Sequence, residues 1–289
     1  MDPPPSRSGR RAAGSAALLV VVIALSMQTG SALAGRLIKS AGVVETLWLR
    51  TAIAAAVLAA VRPRSLRLPA PTDRLPLAAL TLALLFMNLS FYAAISRAPL
   101  GIVVAVEFIG PLAVAVMGSR RPLDFVWIAL AALGVFLLAG PTSSVGAAGL
   151  LLALCAAACW AAFLLLAKRA VTTMEPLAVT TLMLVGSAIL LTPLLAATGI
   201  ATENVAATLA TGTAIAVLSS AFPYFLELFA LSRVRAATYG VLLSIEPAMA
   251  ALTGFLILGQ RLTLAEGLAI AAVMVAAAGA SWQGEAPRA

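Results

Sequence analysis

The sequence has no histidine in its 289 residues. That removes the commonest general base and the commonest transition-metal ligand. Cysteine is nearly absent too: Cys155 and Cys159 stand four apart inside an apolar run. At that helical spacing the side chains are poorly directed for a disulfide, so they read as small buried thiols that help helices pack. Charge is scarce, with 10% of residues charged against 62% hydrophobic, and the mean hydropathy is +1.07. No water-soluble domain of this length has that composition, whereas a polytopic helical membrane protein does. There is no HExxH, no GxSxG and no phosphate-binding loop, so no enzymatic constellation, metal site or cofactor is read from the chain. The net charge of +8 does not imply a nucleic-acid partner. The basic residues fall in short gaps between apolar runs and not along one face.

What is there is a succession of apolar runs. Ten are counted: Ser15–Gly35, Gly42–Val61, Leu75–Ser96, Leu100–Gly118, Pro122–Ala139, Ala147–Lys168, Leu177–Ala197, Val205–Leu231, Ala236–Leu258 and Thr263–Trp282. Each is near the length of one bilayer crossing. The first follows Arg7, Arg10 and Arg11 but is too long for a cleaved signal peptide, and nine more runs come after it. Breakers separate the runs, among them Pro63, Pro69, Pro99, Pro122, Gly140-Pro141, Pro176 and Gly199. The short connections make consecutive helices antiparallel neighbours. With the N-terminus in the cytoplasm, fourteen of the 19 Lys and Arg fall in inner segments. The outer loops hold Arg36, Lys39, Arg97 and Arg261. This bias predicts that both termini are cytoplasmic.

An internal repeat is visible. Ala94-Ile-Ser96-Arg97 matches Ala230-Leu-Ser232-Arg233 at an offset of 136 residues, Pro111 matches Pro247 at the same offset, and Arg36 matches Arg169 at 133. Five spans per half is an odd number, so the halves enter the membrane from opposite sides. The predicted fold is an all-α membrane protein of ten transmembrane helices in two inverted five-helix repeats. The first repeat spans 12–140 and the second 141–283, flanked by a flexible cytoplasmic N-terminus (1–11) and a cytoplasmic tail (284–289). Proteins of this architecture commonly place a substrate site near the midplane between the halves.

The chain is organised around Ala98–Trp127, whose apolar run carries Glu107 and Pro111 near its middle. A carboxylate at that depth costs roughly 3 kcal/mol or more and marks a functional position by default. Ala236–Leu258 repeats the arrangement with Glu246-Pro247. Glu107 and Glu246 are candidates for binding a substrate amine, for carrying a proton, or for both; a satisfied structural carboxyl is the alternative. Arg50 stands about two turns into the second helix, with Glu45 one turn outward. Either the two form an internal ion pair, or Arg50 holds a substrate carboxylate with its planar fork. Glu227, near Arg233, fits a cytoplasmic gate or a helix-end pair. In the first helix Ser26, Gln28, Thr29 and Ser31 form a polar cluster. Gln28 either bonds another helix or lines the cavity, because it cannot face lipid cheaply. Trp160 and Phe163 occupy the matching place in the sixth helix, to wall the site or to pack. Gly30 and Ala34 allow close helix approach. Helices 5 and 10, poor in polar groups, are candidates for support or for a homodimer face.

The ten-helix pattern resembles the EamA-like drug/metabolite transporter superfamily. Three blocks carry the resemblance: Pro99 through Trp127, Ser244-Ile-Glu246-Pro247-Ala, and Gln28 through Ala34. They are most similar to the bacterial inner-membrane exporters of threonine and homoserine. The resemblance implies export of small neutral amino acids against proton entry, in a multi-pass protein of the inner membrane, with lipid and protons as partners. At Gly259-Gln260-Arg261 the chain departs from the family's frequent Gly-Glu, so a role for an acid there is absent. Two other readings remain open at this point. One is a broader drug or metabolite exporter of the same fold; the other is a membrane receptor or scaffold that transports nothing.

Overall fold

A computed structural model describes residues 7–117, 122–138, 146–201, 204–223 and 243–283. Among these residues the chain is helical, with no strands. Helix α1 runs over Arg7–Val61, 55 residues. A straight helix of that length would run about 80 Å, against a hydrocarbon core of roughly 30 Å. It is in fact two helices joined at Gly42, whose φ of 76° and ψ of 170° are not helical. A Cβ there would meet nothing within 4 Å. Glycine is therefore required by the left-handed backbone and not by crowding. The stretch 36–41, where the sequence predicts a connecting loop, continues the first arm as helix. The break is displaced to the one residue whose backbone tolerates it.

Helices α2 (Pro71–Ile95), α3 (Leu100–Glu107), α4 (Ile109–Val116), α5 (Pro122–Leu138), α6 (Ala147–Ala170) and α7 (Pro176–Thr198) follow. Then come α8 (Val205–Ala216), a π-helical turn over Val217–Ala221, α9 (Glu246–Leu258) and α10 (Leu264–Gln283). Proline stands in the first turn of α2, α7 and α9, where its missing N–H has no helical acceptor to serve. Gly259 ends α9 in the left-handed region with φ 68°. Gly259 N–H donates to Phe255 O, and Gln260 N–H to Gly254 O, the double closure that satisfies the last carbonyls of a helix. Helix α10 opens with a reciprocal cap: Thr263 N–H donates to Glu266 Oε2 at 2.7 Å, and Glu266 N–H to Thr263 Oγ1 at 3.2 Å.

Four stretches are long and apolar enough to cross a membrane: Val20–Val61, Pro71–Ile95, Ala147–Ala170 and Pro176–Thr198. The remaining apolar helices are shorter, in part because α3 and α4 are one run interrupted at Phe108 (φ −62°, ψ −13°). Leucines such as Leu82, Leu151 and Leu165 are exposed on the outer faces. That is the pattern of a protein whose solvent is lipid. Helix α2 packs on α6, α5 on α10, α3 on α9, and α1 on α7, α8 and α9. The approach of α3 to α9 is set by Gly101, where a Cβ would lie 2.8 Å from the Cα of Ala251. In lipid, small residues at such crossings give van der Waals contact that longer side chains would prevent. This crossing draws together the two helices that carry Glu107 and Glu246.

Candidate functional site

Glu107 is the last residue of α3 and Glu246 the first of α9. Both are buried, at 8% and 6% exposure, so neither is turned out to the acyl chains. Pro111 has no N–H for the carbonyl of Glu107 four residues earlier, and the helix bends at Phe108 just beyond the carboxylate. Pro247 stands in the first turn of α9, after a similar bend at Ile245 (φ −75°, ψ −15°). Each acid thus sits beside a break in its span. Glu107 lies within Coulombic range of both Glu246 and Arg50.

The first arm of α1 supplies Gln28. Its Nε2 donates to Glu246 Oε2 at 3.4 Å. Its Oε1 is buried and accepts no hydrogen bond among the described residues. Ser26 and Ser31 on the same arm are buried as well. The second arm supplies Arg50. No ion pair joins it to Glu45, one of the two readings of the sequence. Glu45 Oε2 instead accepts from Ala201 N–H at 2.9 Å, tying α1 to the connection between α7 and α8. The guanidinium of Arg50 is spread over two other elements. Nε donates to Ser220 Oγ at 3.1 Å, Nη1 to Asn88 Oδ1 at 2.9 Å and to Tyr92 Oη at 3.3 Å, and Nη2 to Ser219 O at 3.3 Å. The Tyr92 ring lies 5.6 Å from the guanidinium carbon, within cation–π range.

The π-helical turn explains part of this network. Pro223 has no N–H to give the carbonyls four and five residues back, Ser219 and Leu218. Both carbonyls take side-chain donors from α1: Ser26 Oγ donates to Leu218 O at 2.8 Å, and Arg50 to Ser219 O. A π turn of this kind frequently marks a functional position. Gly30 admits the turn, because a Cβ there would overlap Ser219 Oγ.

Trp160, on α6, packs edge-on against Phe108 with ring centroids 5.2 Å apart and an interplanar angle of 89°. It supports the bend that follows Glu107. Glu227 lies outside the described residues. Gln260, where the sequence departs from the frequent acid, accepts from Leu100 N–H through Oε1 at 2.9 Å and so caps the first turn of α3 with a neutral oxygen. Among the described residues no group of His, Cys, Asp and Glu is arranged to hold a metal ion.

These residues form a buried, polar, mixed-charge cluster between helices far apart in sequence. Over 260 residues, the chain is 42% identical to the threonine/homoserine exporter RhtA of Salmonella typhimurium (strain LT2), spanning 89% of this chain and 88% of that one. A profile of the EamA-like transporter family matches residues 147–282. The chain belongs to the EamA-like transporter family. It is a membrane transporter and not an enzyme, and as a transporter it acts on a small molecule. The RhtA exporter of Escherichia coli (strain K12) is 40% identical over 264 residues, 90% of this chain and 89% of that one. A solved crystal structure superposes with a TM-score of 0.65 over 94% of this chain and 99% of that one. At 16% identity it attests the fold alone.

In this EamA-like chain, reading the sequence missed Asn88, Tyr92, Ser219 and Ser220. A signal was available: Asn88 and Tyr92 fall one turn apart in an apolar span, and Ser219-Ser220 precede a proline.

Proposed function

We propose that the protein is a secondary active exporter of small neutral amino acids, threonine and homoserine, across a bacterial inner membrane. It works by alternating access in exchange for protons. The observation that carries this reading is the buried set of Gln28, Glu246 and Glu107 together with the half-buried Arg50. It offers acceptors at one side and a planar cation at the other, the complement of an amino acid's ammonium and carboxylate. The ammonium is received by Glu107, Glu246 and the Oε1 of Gln28. The carboxylate is received by Arg50, exchanging for the acceptor oxygens that occupy its fork. Each carboxyl is also a carrier able to trade a proton for the substrate's ammonium, which couples the two fluxes. Trp160 holds the bend behind Glu107, and Pro111 and Pro247 keep the two spans open beside their acids. The identity to threonine/homoserine exporters over about nine-tenths of both chains supports this choice of substrate.

The architecture that suits this mechanism is ten spans in two inverted repeats, 12–140 and 141–283, with both termini cytoplasmic. The two arms of α1 count as spans one and two, and α3 with α4 as span four. The packing of α3 on α9 and of α5 on α10 pairs like-numbered spans of the two halves, as an approximate two-fold axis in the membrane plane would. The α5–α10 face, poor in polar groups, is where a homodimer would form.

The test is counterflow of labelled threonine in vesicles holding the purified protein, with and without a pH gradient. The reading requires uptake of label against unlabelled threonine inside, and net threonine flux accelerated by a proton gradient of the exchanging sign. Absence of counterflow for both threonine and homoserine would remove the substrate assignment. Net threonine flux indifferent to the gradient would remove the proton.

A further inference from the structure

The two ends of the molecule carry related crevices that the transport site does not use. One has a volume of about 360 Å³ and lies between the start of α2 and the end of α6; Asp73, Pro76, Leu166, Arg169 and Thr173 help line it. The other has about 590 Å³ and lies between α1 and the start of α8, with Arg36, Ser40 and Asn204 on its walls. Arg36 and Arg169 are the repeat-matched arginines, 133 residues apart. Leu75 and Leu82 of α2 and Leu165 of α6 are exposed beside the first.

The first crevice has charge of both signs. Arg169, in the last turn of α6, is exposed, and its guanidinium has no hydrogen-bond or ion-pair partner among the described residues. Asp73, in the first turn of α2, accepts one hydrogen bond, from Thr173 Oγ1 to Oδ1 at 2.9 Å. Its Oδ2 is left for another donor. Lys168 neighbours Arg169 in the same turn. Arg74 follows Asp73, its Nε on Pro69 O at 3.4 Å. The nearby Arg62 and Glu175 neutralise each other in an ion pair. An apolar trough with a cation and an anion at its mouth, set where helices meet the head-group layer, matches a lipid whose head group is itself a zwitterion.

We infer that this crevice holds an aminophospholipid. Its phosphodiester lies against Arg169, its primary ammonium against Asp73 Oδ2, and one acyl chain runs along the trough over Pro76 and Leu166. An anionic head group without an amine would meet Asp73 unfavourably. A quaternary amine would have no N–H to donate. The second crevice has neutral Asn204 where the first has Asp73, so it takes the phosphate on Arg36 without selecting for the amine.

The experiment uses the full chain in detergent, given equal amounts of phosphatidylethanolamine and phosphatidylglycerol with the same acyl chains, and native mass spectrometry of what stays bound. The wild type retains the ethanolamine lipid at least threefold over the glycerol lipid. Asp73→Asn brings that ratio to about one while total lipid persists. Arg169→Gln removes about one bound lipid per chain, chiefly the ethanolamine lipid. Arg36→Gln lowers total retention and raises the ratio above that of the wild type. An unchanged ratio in Asp73→Asn, or unchanged retention in Arg169→Gln, overturns the inference. Displacement of the bound lipid by free threonine also overturns it, by giving the crevice to the transported solute. Threonine counterflow by Asp73→Asn in vesicles reports on transport separately, so failure of the lipid site and failure of the transport reading are distinguishable.

Discussion

Gln28 and Glu246 are 218 positions apart, and the side-chain amide of the first donates to the carboxylate of the second at 3.4 Å. That contact joins the first arm of α1 to the first turn of α9 inside a region closed to bulk water. A typical intramolecular hydrogen bond contributes about 0.5–1.5 kcal/mol net. Replacing Gln28 by Leu removes both the donor to Glu246 and the amide oxygen that no described group engages. The expected result is an apparent affinity for threonine at least tenfold weaker, about 1.4 kcal/mol, with the protein still in the membrane fraction. Concentration-dependent export in vesicles measures it. Unchanged affinity would make the amide a packing element only.

Glu107→Gln keeps the size and the hydrogen-bonding capacity of the side chain and removes its titratable proton. Export is expected to be abolished while folded protein remains in the membrane. Exchange of labelled for unlabelled threonine, which needs no net proton movement, should survive better than uphill flux. Full export by this variant would take Glu107 out of the mechanism.

Arg50 makes bonds through Nε and both terminal nitrogens. Lysine keeps the charge but has no planar fork, so Arg50→Lys should lose more than tenfold in transport rate and should not be rescued by salt or pH. A lysine variant with near wild-type flux would mean that charge alone is needed there.

Pro223→Ala restores an N–H that the carbonyls of Leu218 or Ser219 can accept. The turn would then relax towards an ordinary α-helix, and Ser26 and Arg50 would lose acceptors to it. The expected signature is an unfolding temperature equal to or above that of the wild type, together with a several-fold slower turnover. Thermal unfolding in detergent and single-turnover flux separate the two effects. An unchanged turnover would show that the π geometry has no part in transport.

Gly42→Ala tests the fold without touching the site. Nothing lies within 4 Å of a Cβ at this position, so the cost is purely that of the left-handed backbone, about 1–2 kcal/mol. The unfolding temperature should fall, with threonine affinity retained. No fall would indicate that the junction can re-form at a neighbouring residue.

The sequence by itself determined what depends on local composition. A run of apolar residues long enough for the hydrocarbon core must be a span, because its backbone has no water to bond with. Proline and glycine punctuate these runs for reasons intrinsic to their own backbones. Glu107 and Glu246 were legible because a carboxyl in such a run is costly wherever the side chain points. Partners were not legible, since they depend on direction and on elements more than a hundred residues away. Glu45 and Arg50 are five apart in one helix, the sequence allows them to pair, and the fold sends Glu45 to Ala201 and Arg50 to the π turn. Gln28 could have served any neighbouring helix; the packing of α1 against α9 places a carboxylate within its reach. Gln260 reads as a lost acid in sequence and acts as a helix cap in space. The tertiary structure decided these because a side chain's partner is chosen by which backbones can approach. In lipid that approach is set by small residues whose spacing fits many arrangements equally well.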